Sequence, residues 1–263
     1  MCEIVAEEIK VPLDSIKVEV LDTAKIPGKE TGVGASRSTR VYGNAAYRAA
    51  VKAREELVKS AAEHMQTTPD ELIIARGGVL HRRAERRMTY GEIAKRRGSP
   101  IYVQGYYNDA SRVPEASMCA QVAEVEVDPE TGGIEVKQIT TAHHIGRILN
   151  PLMHQGQIDG GVVMGLGYAM MEHLMLDDGK VMTANFGDYK IPNIMDIPNL
   201  RTAVLEEPKG PGPYSSMSIG ETPNIPVAAA IANAVEDAVG IRIKSLPVTA
   251  EKVFEALRKG DRP

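Results

Sequence analysis

The 263-residue chain has no tryptophan and only two phenylalanines. Its core must therefore be assembled from aliphatic side chains, alanine and methionine. Cysteine is scarce as well. Cys2 and Cys119 lie far apart and form no Cys-x-x-Cys pair, which excludes a disulfide framework and reads as reduced thiols in an intracellular protein. No apolar run reaches membrane-spanning length, and the N-terminus carries neither a basic leader nor a cleavage site. A cytoplasmic protein with no membrane partner is expected. Net charge is −4 with acidic and basic residues interspersed. No strongly basic domain stands out, which argues against nucleic acid as a partner. No repeat recurs at a fixed period.

What is present is enough for a substantial core: 43% of residues are hydrophobic, sufficient for one large domain or two of ordinary size. The chain opens directly in helical periodicity, with Ile4, Val5 and Ile9 on one face and Glu3, Glu7, Glu8 and Lys10 mostly on the other. Such an opening suggests a piece of a longer polypeptide, or a subunit completed by a partner. Ser15–Leu21 alternates as a strand does, and the pattern predicts a helix from about Asn44 to His64. Thr68-Pro69-Asp70-Glu71 carries the signals of a helix start. Short strands are expected at Leu72–Ala75 and Gly78–His81, and a capping box at Thr89 and Glu92. Gly, Ser, Asn and Pro between Arg96 and Pro114 suggest a connection between subdomains at residues 1–110 and 111–263.

In the second part, Met118–Val127 and Ile134–Thr141 flank turn formers and predict a β-hairpin. A long helix from about His154 carries Gly156, Gly160, Gly161, Gly165 and Gly167, too many for a freely exposed helix. Close backbone packing or a nearby ligand would explain them. Strands near Ala184–Ile191 and Arg201–Glu206, an Ala-rich helix from about Pro226 to Val239, a strand at Ile241–Leu246 and a helix capped by Thr249 complete the pattern. Strands and helices mixed with a hairpin indicate an α+β or α/β protein with antiparallel pairs.

Chemistry concentrates in a few places. From Gly32 to Ala45 the chain offers glycines, three hydroxyls (Ser36, Ser38, Thr39) and two guanidinium groups (Arg37, Arg40) ahead of a helix. That donor density suits a phosphate or another anionic group, although a solvated Ser/Gly loop has the same composition. Gly32 and Gly34 begin like a dinucleotide fingerprint, but Arg37 stands where its third glycine belongs. Glu221, between Gly220 and Thr222-Pro223, could be held by the start of the Ala-rich helix, act as a general base, or be an ordinary N-terminal acid. His143 and His144 are adjacent on a predicted strand and face opposite ways, and no zinc-type ligand spacing occurs, so no protein-ligated metal is expected. The Arg82-Arg83 and Arg86-Arg87 cluster reads as a solvated or subunit-facing patch.

Several of these segments, in order, resemble the large subunits of the molybdenum hydroxylases: xanthine dehydrogenase, aldehyde oxidoreductase and carbon monoxide dehydrogenase. Gly34-Ala-Ser-Arg-Ser-Thr39 with Tyr42-Gly-Asn-Ala45 resembles their cofactor-binding loop and helix, and Val125-Glu-Val-Asp-Pro-Glu-Thr-Gly132 their hairpin. Gly146-Arg-Ile-Leu-Asn-Pro151, Gly156-Gln-Ile-Asp-Gly-Gly161 and Gly165-Leu-Gly-Tyr168 resemble their next loop and glycine-rich helix. Asn185-Phe-Gly-Asp-Tyr-Lys-Ile-Pro192 and Gly220-Glu221 are similar to further family segments. The resemblance implies the α+β fold of the C-terminal half of such a subunit. It also implies a molybdopterin cofactor carrying Mo, in its cytosine dinucleotide form, contacted by Gly34, Ala35, Ser36, Arg37, Ser38 and Thr39, with Gln157 nearby. Glu221 becomes the base in the hydroxylation of an aldehyde or N-heterocycle, with water as the oxygen source. The implied partners are the N-terminal half of the molybdenum-binding subunit, iron–sulfur and FAD-carrying subunits, and a small-molecule substrate. Three positions depart from the family's usual residues: Met217 where Lys is common, His144 where Asp is common, and Met164 where Gln is common. A non-catalytic cofactor- or partner-binding module of the same fold is the alternative these departures leave open.

Overall fold

The computed structural model describes residues 1–19, 22, 24, 32, 34–108 and 117–260. The end of the expected Ser15–Leu21 strand, residue 33 of the donor-rich loop and residues 109–114 of the expected connection lie outside them. Contacts divide the chain into two compact units, Met1–Pro114 with Pro211–Ser215, and Glu115–Gly210 with Ser216–Pro263.

In the first unit α1 (Cys2–Ile9) packs on α2 (Asn44–Met65), and a sheet of β1 (Leu72–Ala75), β2 (Gly78–His81) and β3 (Arg87–Thr89) pairs antiparallel in that order. α3 (Tyr90–Arg97) follows, opened by Thr89 and Glu92 in the expected reciprocal capping box. Leu57, Ala61, Ala62 and Met65 of α2 recur at helical spacing and close on Leu72, Val79, Met88 and Ile93.

Three expectations fail here for physical reasons. Glu8 is not on a solvated face but only 7% exposed. Its carboxylate accepts from Arg54 Nη1 at 2.5 Å and from the Tyr214 hydroxyl at 2.8 Å, which offsets the cost of burying the charge. Thr68–Glu71 opens no α-helix. It makes one 3₁₀ turn (Pro69–Glu71), because the β-branched run that follows pairs with β2, and the Glu71 carboxylate takes the Thr67 hydroxyl. Leu13–Ser15 is a 3₁₀ turn, and residues 16–19 join none of the described sheets, so the alternating segment has no ladder to complete it.

The second unit is built on a sheet in which β4 (Cys119–Val127) pairs antiparallel with β5 (Ile134–Ile145), and β5 pairs parallel with β8 (Asn199–Glu206). A parallel pair needs a crossover, and α4 (Pro151–Met170) lies within it. Asn150 caps α4 through the Met153 N–H at 2.8 Å, so the helix begins three residues before His154. Ile139 of the sheet, Val162, Leu166 and Ala169 of α4, and Val227 and Ile231 of α5 (Val227–Val239) form one core. Val235, Ile241, Val248 and Val253, the last from α6 (Ala250–Lys259), form another. β6 (Leu176–Asp177) and β7 (Lys180–Val181) make a small antiparallel pair.

Two expected strands are absent. Ala184–Ile191 turns instead, because the Asn185 side chain binds locally, accepting from the Gly187 N–H at 2.8 Å and donating to Asp188 at 2.9 Å. Ile241–Leu246 joins no described sheet. Ile241 is in the core, and Lys252 Nζ donates to the carbonyls of Ser245 and Pro247 at 3.2 and 2.8 Å, replacing ladder partners. No helix among the described residues is long and apolar enough to cross a membrane.

Candidate cofactor and active-site residues

The donor-rich segment of the first unit is bent by two consecutive non-glycine residues in the left-handed region, Ala35 and Ser36, both at φ 52°. Each costs on the order of 1 kcal/mol, a strain that folds tolerate most often at ligand sites. The Arg37 N–H closes the bend on the Gly34 carbonyl at 3.3 Å. A π-helical turn, Thr39–Gly43, then leads from Ser38 into α2. Such turns are rare and gather at functional positions. Gly34, Ala35 and Thr39 are exposed, whereas Ser36, Arg37 and Ser38 are half-buried. The Ser36 hydroxyl and the Tyr42 hydroxyl are buried atoms without a hydrogen-bond partner among the described residues. Orphaned hydroxyls beside guanidinium groups match a ligand rich in anionic and acceptor oxygens.

In the second unit Gln157 lies exposed on α4. It stands four residues before Gly161, hence on the same side of the helix. At Gly161 an added Cβ would lie 2.8 Å from the Cβ of Pro223, and at Gly165 one would lie 2.5 Å from Cγ2 of Val227. The glycines expected to signal close approach do so at these two places, where α4 touches the segment that follows Glu221, and at Gly167, where an added Cβ would lie 2.9 Å from Cδ of Pro192.

Glu221 is exposed, and its carboxylate has no hydrogen-bond or ion-pair partner among the described residues. Turns separate it from α5, which begins at Val227 behind Pro226. The helix N-terminus therefore does not hold Glu221, because the Thr222–Pro226 turns intervene. Its loop is fastened through backbone. Gln121 Nε2 donates to the Pro223 carbonyl at 2.7 Å, the Tyr168 hydroxyl donates to the Asn224 carbonyl at 2.8 Å, and the Asn224 N–H donates to the Glu221 carbonyl at 3.2 Å. Near it in the chain Ser216 Oγ, Thr222 Oγ1 and Asn224 Oδ1 are buried without partners among the described residues.

The remaining chemistry-bearing side chains are occupied structurally. His143 is buried against the Thr141 hydroxyl at 2.7 Å, and His144 faces the other way onto Glu207 at 2.9 Å. Burial, then the neighbouring His154, lowers the pKa of His143, and burial raises that of the Cys119 thiol. Among the described residues no group of three His, Cys, Asp or Glu side chains is placed to hold a metal ion. Gln121, Tyr168, Thr222 and Asn224 were not singled out by sequence reasoning. Only Tyr168 fell within a family segment, and the other three have no distinguishing pattern.

Comparison with known proteins shows the family to which this fold belongs. The model of the molybdopterin cofactor-binding domain matches residues 1–198. The chain is 33% identical to the 6-hydroxypseudooxynicotine dehydrogenase complex subunit gamma of Paenarthrobacter nicotinovorans, over 100% of this chain and 35% of that one. It is 32% identical to a putative xanthine dehydrogenase molybdenum-binding subunit of Escherichia coli, over 96% of this chain and 35% of that one. The solved structure of quinoline 2-oxidoreductase from Pseudomonas putida 86 superposes with a TM-score of 0.84 at 26% identity, over 100% of this chain and 35% of that one. The chain thus spans about a third of the length of the curated relatives it matches. It belongs to the molybdopterin cofactor-binding domain family, as that domain occurs in the molybdenum-binding subunits of xanthine dehydrogenases and aldehyde oxidoreductases.

Proposed function

We propose that this chain contributes cofactor-binding residues and the catalytic base to a cytoplasmic molybdenum hydroxylase that acts on an aldehyde or an N-heterocycle. Its subdomains divide that work: residues 1–110 carry the cofactor loop, and residues 111–263 the glycine-rich helix and the base. The observation that carries the reading is Glu221, an exposed carboxylate with no partner among the described residues, on a loop fastened by its backbone. A carboxylate that neither stabilises the fold nor caps a helix is available to take a proton.

Molybdopterin, here as its cytosine dinucleotide, supplies the two-electron redox centre when bound. This chain's residues do the rest. The hydroxyls of Ser36, Ser38 and Thr39, the Arg37 guanidinium and the backbone of Gly34 and Ala35 bind its polar and anionic edges, and Gln157 supplies an amide contact. The orphaned Ser36 and Tyr42 hydroxyls support that fit. Glu221 accepts a proton at a carboxylate oxygen as oxygen from water is delivered to an electron-poor carbon. The overall change balances as substrate C–H plus water giving C–OH, two protons and two electrons. Both electrons leave through the iron–sulfur and FAD centres of partner subunits, and the N-terminal half of the molybdenum-binding subunit completes the pocket.

The test is made in the assembled complex. Glu221→Gln should lower turnover by about a hundred- to ten-thousand-fold while molybdenum and acid-released cytidine nucleotide stay at wild-type levels. Near-normal turnover removes Glu221 from the chemistry. A complete complex holding neither molybdenum nor nucleotide makes the chain a non-catalytic module.

A further inference from the structure

Glu221 receives no side-chain help among the described residues, so the backbone of its loop must set where its carboxylate stands. Two side chains from different elements grip that backbone. Gln121, on the inward face of β4, donates from Nε2 to the Pro223 carbonyl at 2.7 Å. Tyr168, in the last turns of α4, donates its hydroxyl to the Asn224 carbonyl at 2.8 Å. The gripped turn closes on Glu221 itself through the Asn224 N–H, 3.2 Å from the Glu221 carbonyl.

The grip of Gln121 is anchored further in. A carbonyl can only accept, so the Gln121 amide must present its nitrogen to Pro223. The same nitrogen lies 3.1 Å from Thr141 Oγ1. Thr141 Oγ1 in turn lies 2.7 Å from His143 Nε2, a contact in which either group can be the donor. A chain of polar contacts therefore runs from the buried face of β5 through Thr141 and Gln121 to the loop.

A buried amide costs free energy that an apolar residue in this place would not. That cost is visible, since Gln121 Oε1 is buried with no partner among the described residues. Gln121 and Tyr168 are both half-buried, and their polar ends hold two consecutive carbonyls just after Glu221.

We infer that Gln121 and Tyr168 are positioning residues for Glu221, with the His143–Thr141 pair orienting Gln121. The inference rests on the proposed role of Glu221 as the base. Both act through the loop backbone and touch no reacting atom.

The experiment uses the assembled complex with Gln121→Met, which keeps the length and removes the donor, and Tyr168→Phe, which removes only the hydroxyl. Each should lower kcat by about tenfold, the worth of one buried hydrogen bond. KM and molybdenum content should stay within about twofold of wild type, while amide hydrogen exchange over residues 220–226 speeds up. In a Glu221→Gln background neither variant should lower the residual rate further, because a positioning residue has nothing left to position. Unchanged kcat with unchanged exchange overturns the inference. So does a loss of the same size in the Glu221→Gln background, or a loss that tracks molybdenum content. If Glu221→Gln itself leaves turnover intact, the catalytic reading fails instead, and the exchange measurement still reports whether the two side chains hold the loop.

Discussion

The two long helices of the chain, α2 and α4, are built on opposite plans. α2 has twenty-two residues and carries charges along its outer side, among them Lys52, Glu55, Lys59 and Glu63, while its inner stripe of Ala50, Leu57, Ala61 and Met65 is buried. α4 has twenty residues, a single acidic side chain in Asp159, and neither lysine nor arginine. It buries Ile158, Gly161, Val162, Gly165 and Leu166, yet its other side shows Leu152, Met153 and Met164 at 82, 68 and 63% exposure. A helix with one apolar stripe is finished by one neighbour, whereas a helix apolar all round is built to be enclosed. The contrast fits the proposal that a further part of the molybdenum-binding subunit packs against the second unit.

Urea unfolding of single variants tests this contrast, with the largest effect on α2. Leu57→Ala should cost about 2–4 kcal/mol, because it leaves a cavity among Ala61, Leu72 and Ile93. The similar truncation Met164→Ala on α4 should stay within about 0.5 kcal/mol in this chain alone. An equal loss at both positions would erase the distinction between the helices.

Next in size is a contrast within α4. Gly165→Ala brings a Cβ to 2.5 Å from Val227 Cγ2 and should destabilise the chain by about 1–3 kcal/mol by prising α4 from α5. Gly160→Ala meets nothing within 4 Å and should stabilise the chain by up to about 1 kcal/mol, since alanine is the better helix former. The unfolding midpoints should therefore move in opposite directions. The same Gly160→Ala change should impair cofactor retention in the assembled complex if the open side of α4 faces the cofactor.

The smallest effect concerns pH. Burial lowers the pKa of both His143 and His154 below their ordinary 6.5, with the charge of Glu206 partly opposing this at His154. In the unfolded chain both imidazoles bind protons more readily, so the stability they permit is present above pH 6.5 and is lost as pH falls through the lowered values. Unfolding midpoints measured down a pH series should decline below that point, and His154→Asn should make the decline shallower. An unchanged slope in that variant would show that His154 does not carry this dependence.

Local signals were legible and long-range ones were not. The turn from Asp128 to Gly133, the Thr89 and Glu92 box and the Thr249 cap each act within a few residues, and each forms as the residue pattern implies. Residues 16–19 alternate as a strand does, and Ile241–Leu246 reads as one, but neither joins a described sheet, because a strand-like pattern specifies a face and not a partner. Glu8 belongs to the same class. Its burial depends on Tyr214, which no pattern near residue 8 announces. At the site, the donors from Gly34 to Thr39 and the base candidate Glu221 stood out through composition and family likeness. Gln121 could not, since an ordinary glutamine on a strand acquires its meaning only when the fold brings it to Pro223, 102 residues away.

The bond between Glu8 and Tyr214 also orders events in time. During synthesis the hydroxyl that satisfies Glu8 emerges 206 residues after it, once the β-sheet and α4 of the other unit have been made. α1 thus gains its full set of partners only after those elements have been made. Until then, of the two groups that hold the Glu8 carboxylate, only Arg54 has been made. Completion of the first unit therefore waits on residues 211–215, which the chain supplies only after the sheet of the other unit.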